Sequence, residues 1–281
     1  MTSHTVAPGV PLFRKLADNQ LAAIHGASLA ILEHTGVQLH HPEALALLRS
    51  AGAQVMDDGW VRIPPALAEW ALRTAPKRIT WANRQGRPVV ALQGRNVHYG
   101  PGSDCPNVID VRTGERRPGT LADIQEAARV LDALPNIDFL MSFCMASDVP
   151  QVIADRYQMA ALLSNSTKPI LFVTTEFAGC VDAVEMAEIV AGGADALQRN
   201  PTCACYINVT SPLVHNTEAL DKLLFMAGRG LSCTYNPVVL RGANGPITPA
   251  GAVALGNAGE LAGLVVAQLK REGAPVILSG G

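Results

Sequence analysis

The stretch Cys203-Ala-Cys-Tyr-Ile-Asn-Val-Thr-Ser-Pro-Leu-Val-His215 decides how the chain is read. Its first half is apolar and carries Tyr, Ile and Val, the composition of a buried strand. It turns polar at Asn208, Thr210 and Ser211 and breaks at Pro212. Behind it, Asn216 or Thr217 offers an N-cap, and Leu220, Leu223 and Leu224 share one helical stripe. The unit is strand, loop, helix, with its polar chemistry at the strand's C-terminal end.

The unit recurs along the chain. Short apolar runs centre near residues 98, 141, 172, 206, 234 and 277, about 30 to 40 residues apart, the length of a βα repeat. The other runs are Val97–Tyr99, Phe139–Phe143, Ile170–Thr174, Ser232–Tyr235 and Pro275–Ser279. Helical patterns start at Thr120, with capping-box spacing to Asp123, and cover 155–164, 181–191 and 250–269. Val108–Thr113 reads as an excursion. Such alternation predicts a parallel sheet, either doubly wound or most of a (β/α)8 barrel. After the first run, Gly100-Pro-Gly-Ser-Asp104 lacks a third glycine and a helix start, which argues against a dinucleotide-binding fold. Polar clusters at most strand ends favour the barrel.

The expected fold is therefore α/β: an incomplete TIM-type barrel over 95–281, behind a mixed helical annex over 1–94. About six of the eight strands of a barrel are present. With six strand signals and an end at Gly280-Gly281, the sequence reads as an incomplete barrel. In the annex, a helical pattern runs from Leu12 to Gly36 and Pro42 opens a second helix. A hairpin over 55–63 turns at Asp58-Gly59, Pro64-Pro65 starts a third helix reaching Thr74, and strand-like runs flank Gly86. His40-His41 reads as a solvent-facing pair.

Composition narrows the function. Hydrophobic residues make up 48%, enough for a sizeable core, and the net charge of −2 comes without a basic stripe. With aromatics at only 5%, neither a nucleic-acid partner nor stacked-base recognition is supported. The six cysteines, Cys105, Cys144, Cys180, Cys203, Cys205 and Cys233, form no CxxC pair. They read as small apolar filler in a reducing compartment, and no metal site has ligand spacing. Met1–Pro11 lacks a signal-peptide pattern. Apolar windows are interrupted before about 18 residues, so no membrane span and a cytoplasmic location are expected.

Three segments are distinctive: Tyr99-Gly-Pro-Gly-Ser-Asp-Cys-Pro106, Gly242-Ala-Asn-Gly-Pro-Ile-Thr-Pro-Ala-Gly251, and Asn257-Ala-Gly-Glu-Leu-Ala-Gly-Leu264 with Gly273-Ala-Pro-Val276. Together they resemble the trimethylamine methyltransferase family, from about Leu21 onward. The resemblance implies a (β/α)8 barrel that moves a methyl group from a methylated or quaternary amine, trimethylamine or a betaine, to cobalt. The cobalt belongs to a corrinoid (cobalamin-type) cofactor on a separate protein, so no cofactor is expected on this chain. Some members carry pyrrolysine, at a position expected beyond this sequence. Homo-oligomerisation stays open.

Such a reaction needs a dry pocket that holds a cation, for which aromatic faces and carboxylates are suited. At strand ends the sequence offers Tyr99, Asp104, Glu176 and Tyr235, with Asn208 and Thr210 as neutral partners. Asn236, with Arg241, is placed to meet a substrate carboxylate. Each also has a structural role open to it: Asp104 as a turn cap, Glu176 as a helix-start charge, Tyr235 as core, His215 as a hydrogen-bonding partner. A Schiff-base lyase or aldolase is the alternative enzyme class, but Lys15, Lys77, Lys168, Lys222 and Lys270 end no predicted strand. An inactive, truncated remnant is the non-catalytic alternative.

Overall fold

Alternating apolar runs and turn residues fold into nine α-helices and twelve short strands among residues 14–278, which the computed structural model describes. In chain order these are α1 (Asp18–Ala30), β1 (Val37–Leu39), α2 (Pro42–Ser50), β2 (Gln54–Val55), β3 (Trp60–Arg62), α3 (Pro65–Thr74), β4 (Ile79–Ala82) and β5 (Pro88–Leu92). Then come β6 (Asn107–Ile109), β7 (Arg116–Pro118), α4 (Leu121–Ala133), α5 (Ala154–Asn165), β8 (Ile170–Val173), α6 (Phe177–Ala191) and α7 (Ala194–Arg199). The chain continues through β9 (Cys203–Val209), β10 (Val214–His215), α8 (Thr217–Arg229), β11 (Cys233–Pro237), α9 (Pro249–Lys270) and β12 (Val276–Leu278). The expected helix start at Leu12, the signal-peptide reading of Met1–Pro11, the strand end at Ser279 and Gly280-Gly281 lie outside the described residues.

The chain clusters into two units, residues 77–205 and residues 14–76 with 206–278. In the first, β4–β5 and β6–β7 are antiparallel hairpins, the second being the expected excursion after Val108. Helices α4, α5 and α6 pack in sequence. β8 lies beside the start of β9, with the Ile170 N–H donating to Thr202 O at 2.9 Å. Two predicted strands are not regular here. Val97–Tyr99 is irregular, and Phe139–Phe143 keeps a single bridge, parallel from Leu140 to Ile170. Both still pair: the Asp138 N–H donates to Tyr99 O, that of Phe143 to Gly102 O and that of Met145 to Cys105 O. The ladder is broken because Asp104 (φ 58°) and Phe143 (φ 66°) adopt left-handed backbone, which tilts successive peptides out of register. Gly100 sits where any side chain would enter the Phe139 ring.

In the second unit, β10, β1, β3 and β2 form one sheet, β1 parallel to β10 and antiparallel to β3. The Asp57-Asp58-Gly59 turn joins β2 to β3 as expected. The remainder of β9 lies next to β11, and β11 pairs in parallel with β12, Tyr235 opposite Leu278. The architecture is mixed α/β with several parallel strands, and no closed barrel forms among the described residues.

α9 is the centre of this unit. It packs against α1, α2, α3, α8, β11 and β12. Leu261, Leu264, Val265 and Val266 are at most 2% exposed, each contributing about 1.5–3 kcal/mol of burial. The sequence expectation that no apolar window reaches membrane-spanning length needs correction. Over 18 residues α9 has a mean hydropathy of 1.5, because its glycines and single Glu260 do not offset Leu, Val and Ala. It is a core helix, with 67% of that window buried.

Two glycines let α9 approach so closely. A Cβ on Gly259 would lie 2.1 Å from Pro212 O, and one on Gly263 would lie 2.2 Å from the Tyr235 ring. Gly26 in α1 has open space around it. Gly259→Ala or Gly263→Ala is therefore expected to destabilise by about 1–3 kcal/mol through overpacking. Gly26→Ala should stabilise by about 0.5–1 kcal/mol through helix propensity. Denaturant midpoints of the three variants check both signs.

Candidate functional site

In β11 the alternation of Cys233-Thr-Tyr-Asn236 sorts side chains onto opposite faces. Tyr235 turns towards α9, fully buried, its ring against Gly263. The ring the sequence assigned to a substrate cation is thus a core ring in this arrangement. Thr234 and Asn236 take the other face. The Asn236 Nδ2 donates to Thr234 Oγ1 at 3.1 Å, which orients the amide. Its Oδ1 is buried and has no hydrogen-bond partner among the described residues. In β9, Ile207 and Val209 are buried while Asn208 between them is exposed, so Asn208 lies on the face away from the core. Thr210 follows, its N–H donating to Asn216 Oδ1 at 3.3 Å.

Next to these strand ends sits His215, which the β1–β10 pairing places opposite Leu39. It is fully buried, and its ring stacks on Tyr235 at 5.7 Å and 14°. Burial keeps the Tyr235 hydroxyl protonated, so it donates to His215 Nδ1 at 2.5 Å. The imidazole proton then resides on Nε2, which has no partner among the described residues. Burial pulls the His215 pKa down from 6.5 to about 4. His41, expected to face solvent, is only 12% exposed at its side chain. Its Nδ1 accepts the Ala44 N–H at the start of α2 and its Nε2 donates to Asp221 at 2.9 Å.

A cleft of about 700 Å³ opens where β11 ends, between α1, the 238–248 loop and α9. Its walls are mostly apolar, with His25, Arg241, Asn257 and Glu260 as the polar groups. Sequence reasoning did not single out Glu260 as a site residue. The available signal was its position as the one charge inside an apolar helix.

In the 77–205 unit, Tyr99 is 58% exposed and its N–H donates to Asp138 Oδ2. The Ser103 hydroxyl donates to Asp104 at 3.0 Å. Phe143, read from sequence as a strand residue, presents an exposed ring from a left-handed position that nothing in its residue type announced. Glu176 is the N-cap residue of α6, with the Arg156 guanidinium at 3.4 Å. Arg156 also holds Asp155 at 2.9 Å and Asp182 at 2.8 Å, so one cation serves three carboxylates. Gly179 leaves room for this cluster, since a Cβ there would meet Asp155 Oδ2. Among the described residues no three His, Cys, Asp or Glu side chains group as metal ligands.

Comparison with known proteins adds what geometry alone does not. The family model described as trimethylamine methyltransferase matches residues 1–280. The chain is similar to a trimethylamine methyltransferase of Desulfitobacterium hafniense (strain DSM 10664 / DCB-2), 29% identical over 262 residues, covering 93% of this chain and 53% of the relative. It is similar to a glycine betaine methyltransferase of Desulfitobacterium hafniense (strain Y51), 29% identical over 270 residues, 95% of this chain and 56% of the relative. A trimethylamine methyltransferase of Methanosarcina barkeri is 26% identical over 264 residues, 92% and 53% respectively. The chain spans about half the length of the curated relatives it matches.

The His215–Tyr235 pair sets a pH dependence. The unfolded chain binds the His215 proton below about pH 6.5, the folded chain only below about pH 4. Between those values the unfolded state holds more protons, so stability falls as pH drops through this window, by about 3 kcal/mol in all. Chemical denaturation at pH 7 and pH 4 measures the drop. Tyr235→Phe, which keeps the ring and strands Nδ1, should cost about 1–3 kcal/mol at pH 7.

Proposed function

The chain belongs to the trimethylamine methyltransferase family, and from that premise we propose that the whole protein transfers a methyl group from a methylated amine to the cobalt of a corrinoid on a separate protein. The single observation that carries this reading is the family match over residues 1–280, with relatives named for trimethylamine and glycine betaine. The complete fold of this reading is a (β/α)8 barrel, to which the parallel pairings and strand-end polar groups are suited. Its compartment is the reducing cytoplasm, in keeping with six free thiols.

Corrinoid cobalt, as the second substrate, supplies the nucleophile. The carbon–nitrogen bond breaks and the amine departs with the bonding electron pair. From a quaternary ammonium, or from trimethylamine bound as trimethylammonium with its own proton, it leaves neutral and needs no further proton. What the chain must supply is a place for a cation with one methyl left accessible. Buried carbonyl-type oxygen at Asn236 Oδ1, without a donor among the described residues, suits the weakly positive methyl hydrogens of such a cation. Asn208 and Thr210 give neutral company on β9 and after it. Tyr99, Asp104 and Glu176 are the strand-end groups this reading takes from the 77–205 unit, and Tyr235 supports the strand end at Asn236 through the bond of its hydroxyl to His215.

The test is methyl transfer by the purified protein to a reduced corrinoid protein, with trimethylamine or glycine betaine as donor, followed by the change in the cobalt absorption spectrum. Transfer from either donor is the expected result; none from either overturns the proposal. Asn236→Leu, nearly isosteric and apolar, is expected to lower kcat/KM at least about tenfold, or about 1.4 kcal/mol, while the unfolding midpoint moves little.

A further inference from the structure

Five of the six cysteines are buried, and Cys105 alone is exposed. Within the 77–205 unit Cys105 pairs in parallel with Cys144, a single bridge that joins the 99–106 segment to the 139–145 segment. The Met145 N–H donates to Cys105 O at 3.0 Å and fixes the register. Paired strands lie about 4.8 Å apart, inside the span of about 4.4–6.8 Å between Cα atoms that a disulfide needs. Gly119 places the second thiol. A Cβ there would lie 2.7 Å from Cys144 Sγ, and the Gly119 N–H donates to Pro106 O, next to Cys105. The Cys144 thiol is thus packed against the residue that ties down the chain beside Cys105. Asp104 and Phe143, the only non-glycine residues with left-handed backbone among the described residues, each precede one of these cysteines. Such backbone persists only where surrounding contacts impose it, so two fixed turns set the bridge. The two thiols also differ in kind. Burial pushes the Cys144 pKa up to about 11, and the nearby Asp123 carboxylate acts in the same direction. Cys144 is therefore protonated and shielded, while Cys105 meets solvent.

We propose that Cys105 and Cys144 form an oxidant-operated dithiol, in which exposed Cys105 reacts first with hydrogen peroxide and buried Cys144 closes the disulfide. The Cys105 sulfur attacks one peroxide oxygen; the O–O bond breaks, water leaves and a sulfenic acid remains. The Cys144 sulfur then displaces its hydroxyl: an S–S bond forms, the S–O bond breaks, and a second water carries away the Cys144 proton. Two electrons pass from the sulfurs to the peroxide. A transient disulfide of this kind is compatible with a reducing compartment. The inference stands apart from the methyltransferase reading. It also ranks access above distance, because the Cys180 and Cys205 sulfurs lie 3.8 Å apart yet both residues are buried.

The test treats the reduced full chain with hydrogen peroxide, counts thiols in denaturant and maps disulfides by peptide mass spectrometry without reductant. Expected are the loss of two of the six thiols, a Cys105–Cys144 link, and recovery of both thiols with dithiothreitol. Cys144→Ala should leave a sulfenic acid on Cys105 that dimedone traps. Cys105→Ser, at an exposed position, should keep all its remaining thiols through the same treatment. In the wild type, no loss of thiols, a Cys180–Cys205 link, or a link between two chains through Cys105 overturns the proposal. Oxidation of Cys144 in the Cys105→Ser variant does so as well.

Discussion

The contact on which the 206–278 segment depends is the approach of α9 to β11 and Pro212 at the distance only glycine permits. At Gly259 and Gly263 there is no room for a methyl group between the helix and its neighbours. Close approach brings many weak dispersion contacts into range at once. It also costs helix propensity, about 1 kcal/mol for each glycine in a helix interior. Burial along Leu261–Ala267 more than offsets that cost, since the apolar side chains there are almost wholly withdrawn from water.

That contact decides which side chains are left for chemistry. Because Gly263 receives the Tyr235 ring, the β11 alternation sends Thr234 and Asn236 to the other face. Because Tyr235 is buried, its hydroxyl needs an acceptor, and His215 is the group that supplies one. Because His215 is used this way and burial lowers its proton affinity, it is neutral at pH 7 and does not add positive charge near strand ends that are proposed to receive a cation.

The sequence showed much of this frame. Strand-loop-helix spacing located β8, β9, β11 and β12, and turn residues located the 54–62 hairpin, because both signals are local. The irregular pairing at 97–105 and 139–145 was not legible. Its cause is positive φ at Asp104 and Phe143, and a phenylalanine gives no advance sign of such a conformation. His41 was misread because a histidine beside a proline looks like a loop residue, and its partner Asp221 lies 180 positions away. For the candidate site, residue types were readable but facing was not: Tyr235 and Asn236 were both assigned to substrate, whereas neighbours on a strand cannot share a face. Glu260 escaped notice because a lone acid in an apolar helix has no sequence partner to announce it.

The same sign of charge recurs in each unit. In residues 77–205 the strand-end helix start carries Glu176, Asp155 and Asp182 around a single Arg156. Burial lowers the proton affinity of Arg156, but its bonds to Asp182 and Asp155 outweigh that and raise it overall, so it remains charged yet outnumbered. In the other unit the buried charge at the cleft is again a carboxylate, and the arginine is on the exposed 238–248 loop. Around Arg156, three carboxylates share one positive charge, and the excess negative charge is met by solvent or by a ligand cation. A soft cation with methyl groups meets that excess at low desolvation cost, since its charge is spread over its carbons. A hard anion does not, and this asymmetry is the physical content of reading the chain as a handler of methylated amines.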